Sequence, residues 1–293
     1  MSDDQEEQRR ITRLALEAAG DEAGFALAGS GAIREHGLID RPTEDVDLFT
    51  VQGAQAGFGR ALDRITAALR TAGYTVEVRR RQDTFAQLTV ADPQGRNTVI
   101  DLGVDWRAHP PVRLDVGPVL AIDDAVGNKV AALFSRAETR DYLDVDAIRR
   151  SGRYSDEELL ALAKQADAGF DLESFAENLD KVERIHPEEV SIYRVTPEQL
   201  AAVKTRMNAW AASVRAGARR DDTLAGLHER TETEVQHPAR GGEQDAGTHS
   251  LHSATFPNPA TEATQPGPGS EPPQAGEQPG RYRPGRGDRS SGP

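Results

Sequence analysis

The stretch LAGSGAIREHGLIDRPTEDVDLFT, residues 27–50, decides the fold of this chain. It opens with apolar residues typical of a short strand, passes through Gly29-Ser30, and continues in residues 32–35 as the first turn of a helix. A strand that leads into a helix through Gly-Ser presents free backbone N–H groups and a hydroxyl to an anion such as a triphosphate. The turn therefore predicts a phosphate-binding site at Gly29 and Ser30.

Two aspartates, Asp45 and Asp47, follow this turn and are separated by one residue. Acidic and apolar residues alternate here, which at strand period places both carboxylates on one face and Val46 on the other. Two such carboxylates repel each other unless a cation lies between them, and Mg²⁺ prefers oxygen ligands of this kind. A solvated acidic strand edge is the alternative, but the apolar Leu48-Phe49 flank favours a half-buried strand. Phosphate binding beside paired carboxylates indicates nucleotide chemistry.

The Gly-Ser turn followed by Asp-x-Asp resembles the signature of the DNA polymerase β-like nucleotidyltransferase superfamily. A second block is more particular: NKVAALFSR at 128–136 followed by TRDYLDV at 139–145. Its Lys-x-x-Ala…Arg…Arg-Asp-Tyr-x-Asp pattern resembles the AbiEii/AbiGii toxin branch of that superfamily. The resemblance covers roughly residues 20–185.

The resemblance implies roles for further residues. The third carboxylate of the superfamily lies on a neighbouring strand, and Asp101 is its best match, with Asp105 and Asp115 as rivals. Lys129 would neutralise a phosphate. Asp141 corresponds to an active-site acid of the branch, although an aspartate at a helix start is equally a structural N-cap.

The predicted site is assembled from these residues. The predicted catalytic residues are Asp45, Asp47, Asp101, Lys129 and Asp141; the predicted nucleotide-binding residues are Gly29, Ser30 and Lys129; and the predicted metal ligands are Asp45, Asp47 and Asp101. Arg136 and Arg140 either neutralise phosphates in the same way or pair with Glu138 and Asp144 on the helix surface.

The patterning of the whole chain predicts an α+β fold. Strand alternation and helical periodicity interleave up to residue 121, which suits a small mixed β-sheet backed by helices, and the pattern is helical from there on. From about residue 217 the chain becomes rich in proline and glycine and cannot bury enough surface to offset its entropy. The predicted domains are a nucleotidyltransferase α/β core at 1–121, a C-terminal helical subdomain at 122–216 and a disordered tail at 217–293.

Composition limits the location and the partners. The chain of 293 residues has no cysteine, which excludes disulfides and thiolate metal sites and is typical of a reducing cytosol. It shows neither a secretory signal nor an apolar run of about 18 residues, so we predict a cytoplasmic protein without a membrane partner. A net charge of −13 argues against binding to extended duplex nucleic acid. The one compact basic run, Arg79-Arg80-Arg81, is compatible with a short RNA end.

These features predict a Mg²⁺-dependent nucleotidyltransferase that moves an NMP from an NTP to an acceptor hydroxyl. The resemblance implies the 3′ end of a tRNA, or of another RNA, as acceptor and a cognate antitoxin as partner. Two alternatives stay open. One is a small-molecule nucleotidyltransferase, whose acidic surface would suit a cationic aminoglycoside. The other is a non-catalytic NTP-binding module on the same fold, which the three retained carboxylates disfavour.

Overall fold

The computed structural model describes residues 3–43 and 45–235, with side chains described up to residue 219. Its strands are β1 Ala26–Leu27, β2 Asp45–Thr50, β3 Thr75–Arg81, β4 Phe85–Ala91, β5 Asn97–Val104, β6 Val112–Leu114 and β7 Gly117–Val119. Its helices are α1 Asp3–Ala19, α2 Gly29–Glu35, α3 Phe58–Thr71, α4 Ile122–Ser135, α5 Thr139–Arg150, α6 Asp156–Ala166, α7 Leu172–Asp180, α8 Pro187–Val190 and α9 Pro197–Val235.

The seven strands form one mixed sheet in the order β3-β4-β5-β2-β1-β7-β6. Strand β2 is parallel to β5, with Asp47 opposite Asp101, and antiparallel to β1. Along β2, Val46 and Leu48 are buried in the core, and the intervening aspartates lie on the opposite face because successive side chains alternate. The parallel register therefore brings acidic residues of two adjacent strands to one face of the sheet.

One hydrophobic core joins the α/β part to the helical part. It extends from Ile11 on α1 to Val214 on α9, and its aromatic members include Phe175, which packs edge-on against Trp210 at a ring distance of 5.1 Å. All the described residues fall within one compact unit. The α+β class with a mixed sheet and a helical C-terminal part is confirmed. Helix α6 begins with a capping box formed by Ser155 and Glu158.

Two features differ from the sequence-based expectation. The short hairpin of β6 and β7 has no clear alternation and was not expected from the pattern. Helix α9 does not end near residue 216 but continues to Val235, since no proline interrupts the chain before Pro238. Residues 236–293, which hold most of the predicted disordered tail, lie outside the described residues.

Within residues 3–43 and 45–235, no helix is both long enough and apolar enough to cross a bilayer.

Candidate functional site

Three carboxylates converge on the open face of the sheet. Asp45 and Asp47 on β2 and Asp101 on β5 each offer an oxygen, and these oxygens lie within 4.8 Å of one another. Asp101 is buried and accepts a hydrogen bond from Nε2 of Gln87 at 2.9 Å. Asp45 forms an ion pair with Nη1 of Arg140 at 3.2 Å. The cluster therefore offers only oxygen ligands, on rigid strands, to any cation that binds there.

The neighbouring cations do not fully compensate the negative charge of the three carboxylates. Burial raises the pKa of Asp47 to about 7, and the charges of Asp45 and Asp101 add to the rise against the opposing effect of Lys129 and Arg140. Burial likewise raises the pKa of Asp101. A carboxylate holds its proton at near-neutral pH only where its surroundings leave the charge uncompensated. A divalent cation with oxygen ligands would supply that compensation, so the residues fit Mg²⁺.

The Gly-Ser turn lies directly against Asp47. The N–H of Ala28 donates to the carbonyl oxygen of Asp47 at 2.8 Å. Gly29 has φ +55°, and a Cβ at this position would lie 1.8 Å from Oδ2 of Asp47. Only glycine allows this close approach in a left-handed conformation. The turn and the carboxylate cluster are therefore one structural unit.

A buried network of charged side chains lies next to Ser30. Lys129 on α4 is only 5% exposed, and its Nζ lies 3.1 Å from Oγ of Ser30. The same ammonium contacts Oδ1 of Asp141 at 3.2 Å and Oδ2 of Asp144 at 3.1 Å, both on α5. Arg136 donates to Oδ2 of Asp141 at 2.9 Å. Lys129 thus joins α4 to α5 by ion pairs and to the Gly-Ser turn by a hydrogen bond.

Arg41, from the segment between α2 and β2, completes this network. It donates to both oxygens of Asp144 at 2.6 Å and to Oγ of Ser30 at 3.0 Å. Ser30 in turn donates to Oδ2 of Asp144 at 2.9 Å. Burial would raise the pKa of Asp144, but the adjacent Lys129 and Arg41 outweigh it and lower that pKa. The Ser30 hydroxyl is therefore fixed by two cations and one carboxylate.

Comparison with known proteins decides the family. The protein-family model described as "Nucleotidyl transferase AbiEii toxin, Type IV TA system" matches residues 13–229 of this chain, which include the sheet, the carboxylates and the buried network. The chain belongs to the AbiEii nucleotidyltransferase toxin family. The resemblance in the sequence is thereby confirmed, and the chain is a nucleotidyltransferase.

Solved structures share the fold of this chain. JHP933 from Helicobacter pylori aligns with a TM-score of 0.53 at 16% identity, covering 78% of this chain and 99% of that one. MenT4, the nucleotidyltransferase toxin Rv2826c from Mycobacterium tuberculosis H37Rv, aligns with a TM-score of 0.52 at 17% identity, covering 72% and 84%. Identities this low show likeness of fold alone. No curated protein sequence matches the chain significantly.

The fold brings the predicted site residues into one region. Those that meet there are Gly29, Ser30, Asp45, Asp47, Asp101, Lys129 and Asp141. The two rivals of Asp101 do not join the cluster: Asp105 follows the end of β5 and accepts from the N–H of Trp106 at 2.7 Å, and the Asp115 side chain is 92% exposed. The catalytic and binding roles of the assembled residues stay predictions.

The geometry corrects two interpretations on α5. Asp141 is not the helix N-cap, because Glu138 occupies that position and the Asp141 carboxylate is buried against Lys129. Asp144 does not pair with Arg136 or Arg140 on the helix surface, because it points inward to Lys129 and Arg41. Arg140 does pair with Glu138, at 2.9 Å, in addition to Asp45.

Two residues of the site were not identified from the sequence. Arg41 stands before a proline in a polar segment, and Gln87 alternates with apolar residues in β4, so neither carries a pattern that marks it. The signal that could have suggested Gln87 is its parity in a strand next to Asp101. For Arg41 the sequence holds no such signal, because nothing in it marks Asp144 as a buried acid that needs a cation.

We expect Gly29→Ala to abolish nucleotidyl transfer, because the added methyl group would displace the Asp47 carboxylate. Gly37→Ala is the matched control: Gly37 has φ +74° with nothing within 4 Å of the added Cβ. Both variants should lose about 1–2 kcal/mol of stability from the left-handed backbone. Urea unfolding and an NMP-transfer assay measure the two effects. Wild-type transfer in Gly29→Ala would show that the turn and Asp47 are not coupled.

Proposed function

We propose that the chain is a Mg²⁺-dependent enzyme that transfers an NMP from an NTP to the 3′-terminal hydroxyl of an RNA, with tRNA as the first candidate. The observation that carries the proposal is the set of three carboxylates within 4.8 Å, immediately beside the Gly-Ser turn. The AbiEii family supports nucleotidyl transfer, and the geometry supports where it would occur.

Asp45, Asp47 and Asp101 would hold the metal ions. When bound, Mg²⁺ would orient the triphosphate and stabilise the charge that develops during in-line displacement. The carboxylates lie on two hydrogen-bonded strands, so their separation is fixed before any ligand binds.

The Gly-Ser turn and Lys129 would bind the triphosphate. Gly29 leaves room for close approach of the phosphates, and Oγ of Ser30 would donate to a phosphate oxygen. The Lys129 ammonium lies beside that hydroxyl and would offset the negative charge of the phosphate. Asp141 would position Lys129, because its carboxylate holds the ammonium at 3.2 Å. Ion pairs with Asp141 and Asp144 hold the Lys129 ammonium beside Ser30.

Asp101 would accept the proton of the attacking hydroxyl. The Asp101 side chain is buried beside the other two carboxylates, and the hydrogen bond from Gln87 fixes its orientation. The hydroxyl oxygen would then attack the α-phosphorus, forming the new phosphoester bond as the bond to the leaving pyrophosphate breaks.

The family supports a protein partner for this chain. The family description places AbiEii proteins in toxin–antitoxin systems, and we infer that a cognate antitoxin restrains this chain. An RNA acceptor and a cytoplasmic location accord with such a role.

The test is transfer of label from each of the four α-³²P-labelled NTPs. The full chain is incubated with Mg²⁺ and, separately, with total tRNA, with RNA depleted of tRNA and with kanamycin. We expect the tRNA to become labelled, and tRNA whose 3′ end has first been oxidised with periodate to stay unlabelled. EDTA should stop the reaction, and added Mg²⁺ should restore it. Label in kanamycin alone would support the small-molecule alternative, and no transfer from any NTP to any acceptor would support the non-catalytic one.

A further inference from the structure

An arginine continues the row of side chains that includes Asp101. In the sheet register, Arg80 on β3 lies opposite Gln87, Gln87 lies opposite Asp101, and Asp101 lies opposite Asp47. Residues directly opposite each other on adjacent strands face the same side of the sheet. Since adjacent strands are about 4.8 Å apart, the Cα of Arg80 is roughly 10 Å from that of Asp101.

Arg80 differs from its two neighbours in the basic run. Arg79 pairs with Glu77 at 3.2 Å, and Arg81 binds Asp63 on α3 through two hydrogen bonds. Among residues 3–43 and 45–219, no side chain forms a hydrogen bond or an ion pair with the exposed Arg80. No direct contact within this part of the chain therefore holds the Arg80 guanidinium.

We propose that Arg80 binds a backbone phosphate of the acceptor RNA near its 3′ end, so that Arg80, Gln87 and Asp101 form the acceptor subsite. The inference rests on the proposed function, in which the 3′-hydroxyl lies at Asp101. A strand that delivers its terminal hydroxyl there carries a phosphate close behind it. Because β3 is the edge of the described sheet, the strand can leave the site over Arg80.

Charge explains why such a contact is needed. The chain carries a net charge of −13, and the acceptor must approach three clustered carboxylates. Both features repel a polyanion, so a free cation on the approach face adds attraction where repulsion is strongest. The opposite face of β3 offers no such route, since its arginine, Arg81, is already paired with α3.

A second surface that contains several arginines is an alternative binding site for the RNA. A groove of about 1080 Å³ beside the buried network is lined by several arginines, among them Arg41, Arg150 and Arg206. Arg41 is bound by Asp144 and Arg206 by Asp146, so these charges are already compensated. Exposed Arg150 is the suitable residue for testing the groove.

The experiment measures RNA binding without catalysis. The probe is a 5′-fluorescein RNA hairpin with a four-nucleotide single-stranded 3′ extension, titrated with the full chain by anisotropy at several salt concentrations. We expect Arg80→Ala to weaken binding and to reduce the slope of log K against log salt by about 0.7, the value for one phosphate contact on a single strand. Arg81→Ala removes the same charge from the opposite face and should leave the slope unchanged. In transfer assays, Arg80→Ala should raise the KM for RNA and leave the KM for NTP unchanged.

Three results would overturn the inference. Arg80→Ala could keep the wild-type slope and KM for RNA, the slope could fall in Arg150→Ala instead, or the wild-type chain could fail to bind the hairpin. Because the anisotropy assay contains no NTP, it decides this inference even if nucleotidyl transfer itself were absent. Conversely, transfer to RNA with an unchanged KM in Arg80→Ala would reject the subsite and leave the proposed function intact.

Discussion

Replacing Asp47 by asparagine should lower nucleotidyl transfer by about 100-fold or more, comparable to the loss of one strong electrostatic contact in other active sites. The same substitution should leave the thermal midpoint unchanged or raise it. Asp47 is crowded by Asp45 and Asp101, and its raised pKa of about 7 shows that its charge is unfavourable where it lies. Release of labelled pyrophosphate and differential scanning fluorimetry in EDTA measure the two effects.

Asp105→Asn is the matched control for this experiment. Asp105 lies four residues after Asp101, at the end of β5 and outside the carboxylate cluster, so transfer should stay at the wild-type level. If Asp47→Asn retained transfer within threefold of wild type, the metal assignment would be wrong. Loss of transfer in Asp105→Asn alone would instead identify Asp105 as the third carboxylate of the site.

Replacing Asp141 by asparagine should destabilise the fold by about 3–5 kcal/mol, because it leaves Lys129 and Arg136 without their shared counter-ion in a buried site. This corresponds to a drop in thermal midpoint of roughly 10 °C. Asp63→Asn is the control: it breaks the solvent-exposed ion pair with Arg81 and should leave the thermal midpoint close to that of the wild type. Equal midpoints for the two variants would show that the Asp141 network does not stabilise the fold.

The pH dependence of that difference gives a second check. Burial alone would raise the pKa of Asp141, but Lys129 and Arg136 outweigh it and lower the pKa to about 2 from the ordinary 3.8. The carboxylate therefore contributes its stability above about pH 4 and loses it as the pH falls toward 2. We expect the difference in free energy of unfolding between wild type and Asp141→Asn to narrow by about 1 kcal/mol between pH 5 and pH 3. A constant or widening difference would contradict the ion-pair explanation.

Local rules predict the Asp45 and Asp47 pair of the carboxylate cluster, whereas the third member, Asp101, is what the family resemblance implies. Alternation along β2 requires Asp45 and Asp47 to leave the core face, since Val46 and Leu48 are needed within it. Asp101 lies in an apolar strand that can pair with β2 only in a register that buries the same face. Glycine before Ser30 follows from a turn with positive φ.

The buried ion pairs could not be predicted in this way. Arg41 and Asp144 are 103 positions apart, and their contact depends on how α5 packs against the segment before β2. A charged residue on a helix is usually solvated, so Asp144 carried no mark of burial. The extent of α9 was missed for another reason: residues 217–235 are mostly polar or charged, and composition alone does not distinguish a helix from a loose tail.

The central claim is that the three carboxylates serve nucleotidyl transfer, and the position of the transferred label tests it most directly. Parallel reactions contain Mg²⁺, total tRNA and an NTP labelled with ³²P at either the α- or the γ-phosphate, with Asp47→Asn as the inactive control. We predict that α-label enters the RNA and that γ-label leaves as pyrophosphate. Entry of γ-label into the acceptor, or its release as inorganic phosphate without any transfer of α-label, would contradict the claim.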